Sequence, residues 1–125
     1  MNNLSNSILV IDDDPDIGTM IKIMLEYKGY SVAVTERAEK TEELLRAGNF
    51  DLIIMDMLLS GINGTDICAR LKRDPAFSAI PVLMISAHPN AGQTCLDAGA
   101  GAFISKPFDM PDMLAKIQTL IAAKN

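Results

Sequence analysis

Tryptophan is absent from this sequence, histidine occurs once, cysteine twice, and aromatic residues make up only 5% of the chain. Two isolated cysteines, Cys68 and Cys95, offer neither a Cys-x-x-Cys metal site nor a disulfide framework, so both are expected to be small buried apolar residues. No apolar run approaches the ~20 residues that a membrane-spanning helix needs. The start, Met1 to Ser7, lacks the basic and apolar regions of an export signal, so a cytoplasmic protein without membrane contact is expected. Positive charge is also short: 11 Lys and Arg face 16 Asp and Glu, a net charge of -5 that argues against nucleic acid as a direct ligand. Equally missing are the glycine-rich nucleotide-binding fingerprints and a nucleophile elbow, so a bound nucleotide or an acyl transfer has no motif behind it. No repeat, linker or low-complexity stretch interrupts the 125 residues. One domain of that size buries roughly two-thirds of its unfolded surface, enough for a core without metals or disulfides. With 49% apolar and 22% charged residues, the composition excludes disorder.

The acidic surplus is local. Asp12, Asp13, Asp14, Asp16 and Asp56 account for all of it, since the rest of the chain has 11 acids and 11 bases. Around them, five short apolar runs alternate with helix-like stretches, the pattern of a βα array. The runs are Ile8–Ile11, Tyr30–Thr35, Leu52–Met55, Val82–Ile85 and Ala102–Ile104. Several are apolar at every position, as strands covered on both faces must be, whereas Tyr30–Thr35 is mixed and suits a sheet edge. Asp14 should cap a helix with Pro15 at its first position and Ile17, Met20, Ile21, Met24 and Leu25 on one face, ending at Gly29. Further helices are expected over about 38–47, from near Gly64 with Ile67 and Leu71 inward, over a weak stretch near 93–98, and after Asp109 with Met110, Met113, Leu114, Ile117 and Ile121 as its stripe. The eight methionines suggest packing rather than a metal box, because Met20, Met24, Met55, Met84 and Met113 fall on periodic core positions.

Parallel strands all point one way, so residues just past their carboxyl ends gather in one crevice, where such sheets bind ligands. Those residues are Asp12 and Asp13, Asp56, Ser86 and Lys106. Carboxylates a few ångströms apart repel one another unless a cation offsets them. A hard divalent ion suits such an open oxygen site, since Mg²⁺ takes one or two carboxylates and completes its shell with water or a phosphoryl oxygen. Lys106 and Ser86 add a cation and a hydroxyl, giving a site for a dianionic group between metal and lysine. Asp14 and Asp16 belong instead to the helix start. Only His88 is available as a histidine base, so conventional hydrolysis lacks its machinery.

With Ile8-Leu9-Val10-Ile11-Asp12-Asp13-Asp14, Asp51-Leu52-Ile53-Ile54-Met55-Asp56, Gly61-Ile62-Asn63-Gly64, Ser86-Ala87 and Ser105-Lys106-Pro107-Phe108 in that order, the sequence resembles the receiver domain of bacterial two-component response regulators. The resemblance implies an α/β, flavodoxin-like (βα)₅ doubly wound sandwich, a five-stranded parallel sheet in the order 2-1-3-4-5. Receiver domains are the reference example for that order, so its appearance would not be independent support. The resemblance makes Asp56 the acceptor of a phosphoryl group from a sensor histidine kinase or a histidine phosphotransfer protein. Mg²⁺ would be held by Asp13, Asp56 and the backbone carbonyl of Leu58, with Asp12 acting mainly through metal-bound water. Lys106 and Ser86 would contact phosphoryl oxygens, Phe103 would be the switch aromatic, and Lys106-Pro107 a cis bond. A downstream protein target is implied, and a homodimer is compatible with it. Such a receiver catalyses only its own phosphorylation and dephosphorylation.

The sequence also departs from the family. Ser60 replaces a customary proline, which should loosen the loop after Asp56. Only 19 residues separate Ser86 from Lys106, fewer than usual, and the deficit falls in the fourth helix, altering an output face built from that helix, the fifth strand and the fifth helix. Gly101 replaces an acid common before the fifth strand. Leu58 and His88 stand at positions that tune loss of the phosphoryl group; Leu58 cannot orient a water, so slow self-dephosphorylation is expected. Because the chain ends soon after the last helix, a single free-standing receiver over 1–125, with a core of about 7–122 and no effector domain, is expected. The alternatives are a phosphorylation-independent interaction module of the same fold, against which the intact Asp13, Asp56, Ser86 and Lys106 speak, and an aspartyl phosphatase. The latter would want a second Asp where Leu58 lies.

Overall fold

A computed structural model of the chain describes residues 6–124. The stretch up to Ser5, where no export signal is expected, and Asn125 lie outside it. The strands and helices follow one another as β1 (Ser7–Ile11), α1 (Pro15–Tyr27), β2 (Ser31–Thr35), a 3-10 turn (Ala38–Lys40), α2 (Thr41–Ala47), β3 (Leu52–Asp56), β4 (Leu58–Leu59), β5 (Ile62–Asn63), α3 (Gly64–Arg73), β6 (Val82–Ser86), α4 (Gly92–Asp97), β7 (Ala102–Ser105) and α5 (Met110–Lys124).

Five parallel strands form the main sheet in the order β2-β1-β3-β6-β7. Counting those five alone, the order is 2-1-3-4-5, and the mixed second run does lie at an edge. The runs of β1, β3 and β6 are apolar throughout because successive side chains enter opposite cores. Ile8, Val10, Leu52, Ile54, Leu83 and Ile85 pack on one face with α1 and α5; Leu9, Ile11, Ile53, Met55 and Met84 pack on the other with α2, α3 and α4. Cys68 and Cys95 are free and buried in the second core, and burial pushes the Cys68 thiol up to about 11, as befits packing residues.

Local signals explain the element ends. The Asp14 carboxylate accepts from the Asp16 and Ile17 N–H groups and Pro15 opens α1, while Gly29 takes up φ 100° just past its end. The fourth helix is reduced to six residues, Gly92–Asp97. In α5 all five expected apolar residues join the core.

The expected core positions of α1 need correction. Ile21 and Leu25 are buried, but Met20 and Met24 are exposed, together with Ile23 and Tyr27. The apolar arc of this helix is wider than the sheet can cover, and Gly18 decides which part faces inward. A Cβ at Gly18 would lie 2.9 Å from Val34 Cγ1. The helix therefore approaches β2 through its glycine, which turns Met20 and Met24 toward solvent. Apolar periodicity alone places the buried face wrongly. Met55, Met84 and Met113 are buried as expected.

Candidate functional site: an acidic crevice at the strand ends

Strand register assembles the site. Ile11 pairs with Met55, so Asp12 and Asp56 leave the sheet side by side; Asp56 pairs with Ile85 and Ser86 with Ser105, which brings Ser86 and Lys106 to the same edge. The Lys106 N–H donates to the Ser86 carbonyl at 2.7 Å, fixing the lysine backbone above β6. After Asp56 the chain must turn at once: the Met57 N–H donates to Ile85 O at 2.7 Å and the Gly64 N–H to Met57 O at 2.6 Å. A Cβ on Gly64 would collide with the Asp56 carbonyl oxygen, so glycine is required there for α3 to start this close to the acid.

Ligand oxygens of Asp12, Asp13 and Asp56 all lie within 4.8 Å of one another. Asp12 and Asp56 are buried and Asp13 is half-buried. One Asp56 oxygen accepts from Lys106 Nζ at 2.8 Å and the other from the Leu58 N–H at 3.2 Å. Asp12 Oδ1 accepts from the Asp14 N–H at 2.9 Å, while its buried Oδ2 has no hydrogen-bond donor and faces the Lys106 ammonium only at 4.0 Å. Burial pushes the Asp12 carboxyl above its ordinary range, with the Asp56 and Asp13 charges adding to it and the Asp14 N–H and Lys106 opposing. For Lys106 burial acts downward, but the hydrogen bond and charge of Asp56, with Asp12 and Asp14, outweigh it and hold the ammonium above its usual value. One ammonium thus serves both Asp12 and Asp56. The orphaned Asp12 oxygen and the all-oxygen donor set fit a hard divalent cation such as Mg²⁺.

Of the other expected residues, Leu58 and Ser86 touch site residues directly, Leu58 through its N–H to Asp56 and Ser86 through its carbonyl to the Lys106 N–H. Ser86 is buried, and its Oγ accepts from the His88 N–H at 3.0 Å. Phe103 is half-buried against the core on the α4 side, where a Cβ on Gly92 would lie 3.3 Å from its ring. Leu58 is exposed, and Lys106-Pro107 is cis.

Ser60 is where the sequence reading goes astray. Instead of loosening the loop, it occupies a two-residue turn between the antiparallel strands β4 and β5, and its N–H and Oγ both donate to Asp13 Oδ2, at 2.9 and 2.8 Å. The Ser-Gly pair between two short apolar stretches is a hairpin signal that could have been found. The bond to an aspartate 47 residues away could not.

Beside the crevice, a groove of about 450 Å³ is lined by Ile17, Met20, Ala87, Lys106, Pro107 and Phe108. It continues onto the exposed apolar row Met20, Ile23, Met24 and Tyr27.

A doubly wound sheet thus gathers three aspartates, a lysine and a buried serine at its strand ends, the arrangement that the resemblance to signalling receivers implies. The chain belongs to the response regulator receiver domain family, whose profile matches residues 8–118. The DNA-binding dual master transcriptional regulator RpaA of Synechocystis sp. is 38% identical over 116 residues, 91% of this chain and 48% of that protein. The chain spans about half the length of the curated relatives it matches. A solved response regulator structure from Chloroflexus aurantiacus aligns with a TM-score of 0.90 at 27% identity, covering 95% of this chain and 99% of that one. The receiver domain of a histidine kinase from Syntrophus aciditrophicus gives 0.86 at 27% identity, with 95% and 92% covered. Among the described residues no helix is long and apolar enough to cross a membrane.

Proposed function

We propose that this chain is a phosphoacceptor receiver in which Asp56 takes a phosphoryl group from a phosphohistidine on a sensor histidine kinase or a phosphotransfer protein. The observation that carries this reading is the Asp56 carboxylate itself, set between two further aspartates and the single ammonium of the crevice. An Asp56 oxygen forms the new bond to phosphorus as the P–N bond of the donor breaks, and the electron pair leaves with the imidazole nitrogen. Asp12, Asp13, Asp56 and the Leu58 carbonyl would hold Mg²⁺, Asp12 chiefly through water. When bound, that cation supplies positive charge against the repulsion between carboxylates and phosphoryl oxygens, the main obstacle in such transfers.

The remaining roles belong to side chains that must change partners. Lys106 exchanges Asp56 Oδ2 for a phosphoryl oxygen. Ser86 leaves the His88 N–H and donates its hydroxyl to another, and Phe103 turns inward as that hydroxyl moves. A loop biased in this way carries a surface with it and so switches binding of a downstream protein. The apolar groove sharing Lys106 with the site supports a protein as the phosphoryl donor. The acidic charge supports no direct nucleic-acid contact by this domain, whatever the attached parts of its relatives bind.

The test is incubation with Mg²⁺ and acetyl phosphate, followed by intact mass. The chain should gain one phosphoryl group, and Asp56→Asn none; equal gain by both would remove Asp56 from the mechanism. The adduct should persist for minutes or longer in purified protein, because exposed Leu58 offers no group to orient an attacking water. A lifetime of seconds would refute that part.

A further inference from the structure

Each carboxylate of the crevice is held differently. Asp12 is held by the Asp14 N–H, and Asp56 by the Leu58 N–H and Lys106. Among the described residues Asp13 forms no ion pair, and its side chain is tied down only by Ser60. Both Ser60 donors converge on one oxygen, Oδ2, and among the described residues none donates to the other. That geometry is unusual to reach: Ser60 has φ 48° and Gly61 φ 84°, the left-handed pair of a type I′ hairpin, in which asparagine is the preferred first residue and serine is not. With its backbone in this conformation, the serine aims its N–H and its hydroxyl at the same acceptor.

We infer that Ser60 is the positioning residue of the cation site: by saturating Oδ2 of Asp13 it fixes the carboxylate and leaves the second oxygen for the metal. The inference rests on the reading of the crevice as a divalent-cation site. Hydrogen bonds that orient a ligating carboxylate commonly govern metal affinity by tenfold or more when removed. Here the orienting group also heads the hairpin whose first residue, Leu58, donates to Asp56. Cation loading and the β4–β5 turn are therefore coupled through one serine. The customary proline could contribute neither donor, since it has neither an N–H nor a hydroxyl.

The experiment compares Mg²⁺ binding to the wild type, Ser60→Gly and Ser60→Asn by titration followed in ¹⁵N–¹H spectra, with thermal midpoints taken without Mg²⁺ as a check on folding. Glycine suits the left-handed turn better than serine, so a serine that served only the turn would leave Ser60→Gly binding Mg²⁺ as well as the wild type. Ser60→Gly is expected to fold normally yet bind Mg²⁺ about tenfold more weakly. Ser60→Asn, which tolerates the same backbone and carries an amide donor, should recover most of the loss. Equal affinity for Ser60→Gly, or tighter binding through release of a competing donor, would overturn the inference. If the wild type takes up phosphoryl on Asp56 while the variants bind Mg²⁺ alike, only the role of Ser60 falls. If the wild type binds no Mg²⁺, the cation reading falls with it.

Discussion

Replacement of Lys106 by alanine is expected to slow phosphoryl uptake from acetyl phosphate at saturating Mg²⁺ by about a hundredfold to a thousandfold, the range found when one preorganised charge stabiliser is deleted. The ammonium lies 2.8 Å from Asp56 Oδ2 and 4.0 Å from Asp12 Oδ2, so among the described residues it is the cation close enough to follow the transferring group. Its pKa is held above the usual 10.5 once the Asp56 and Asp12 partners outweigh burial. A raised folded-state pKa gives a contribution that is complete below 10.5 and lost only as pH climbs through the folded value, so the lysine is charged throughout the working range.

The same substitution leaves Asp12 and Asp56 without their counter-ion. With the lysine side chain 23% exposed but Asp12 and Asp56 buried, the loss is only partly screened and the folded state should weaken by about 1–3 kcal/mol. The two effects separate in a Mg²⁺ titration. Added cation should restore the thermal midpoint, because it replaces the missing charge among the carboxylates, but not the transfer rate, because it cannot occupy the lysine's side of the phosphoryl group. Lys106→Arg should recover stability more fully than rate, since a planar fork does not reproduce a point charge at 2.8 Å. Unchanged kinetics in Lys106→Ala would remove the lysine from the mechanism.

The legibility of this protein in its sequence follows from how far each signal travels along the chain. Strands buried on both faces announce themselves as unbroken apolar runs, and the site residues follow those runs directly, so the sequence alone gathers Asp12, Asp13, Asp56, Ser86 and Lys106 at one sheet edge. The strand order came from the family resemblance, not from periodicity. Positions governed by something other than side-chain polarity were less visible. Gly18 carries no hydrophobic signal, yet its close approach to Val34 sets the rotation of α1 and exposes Met20 and Met24. In the sequence Ser60 reads only as a missing proline. Its importance lies in the donors that proline lacks, and in a contact that only the folded loop creates.

Asp12→Asn should reverse its effect on stability according to Mg²⁺. Without the cation, at neutral pH, the buried carboxylate is costly: burial is the main cause of its raised pKa, reinforced by the Asp56 and Asp13 charges, and Oδ2 has no hydrogen bond to offset it. A folded-state pKa above the unfolded 3.8 means that protons bind the native state more tightly, so the stability contributed by this group is complete below 3.8 and declines as pH rises through the folded value. An asparagine keeps the oxygen that accepts from the Asp14 N–H but carries no charge, at the expense of some attraction to Lys106. The variant should therefore be more stable than the wild type in Mg²⁺-free buffer near pH 7, by about 1 kcal/mol or a few degrees in Tm. That advantage should shrink as pH falls toward 4. With Mg²⁺ the order changes, because a ligand at a hundred times its dissociation constant stabilises by about 2.7 kcal/mol and the variant, binding about tenfold or more weakly, forfeits much of that gain. Curves of thermal midpoint against Mg²⁺ for the two proteins should cross. Parallel curves would mean that Asp12 takes no part in cation binding, and a variant less stable than the wild type without Mg²⁺ would mean that its attraction to Lys106 outweighs the cost of burying it.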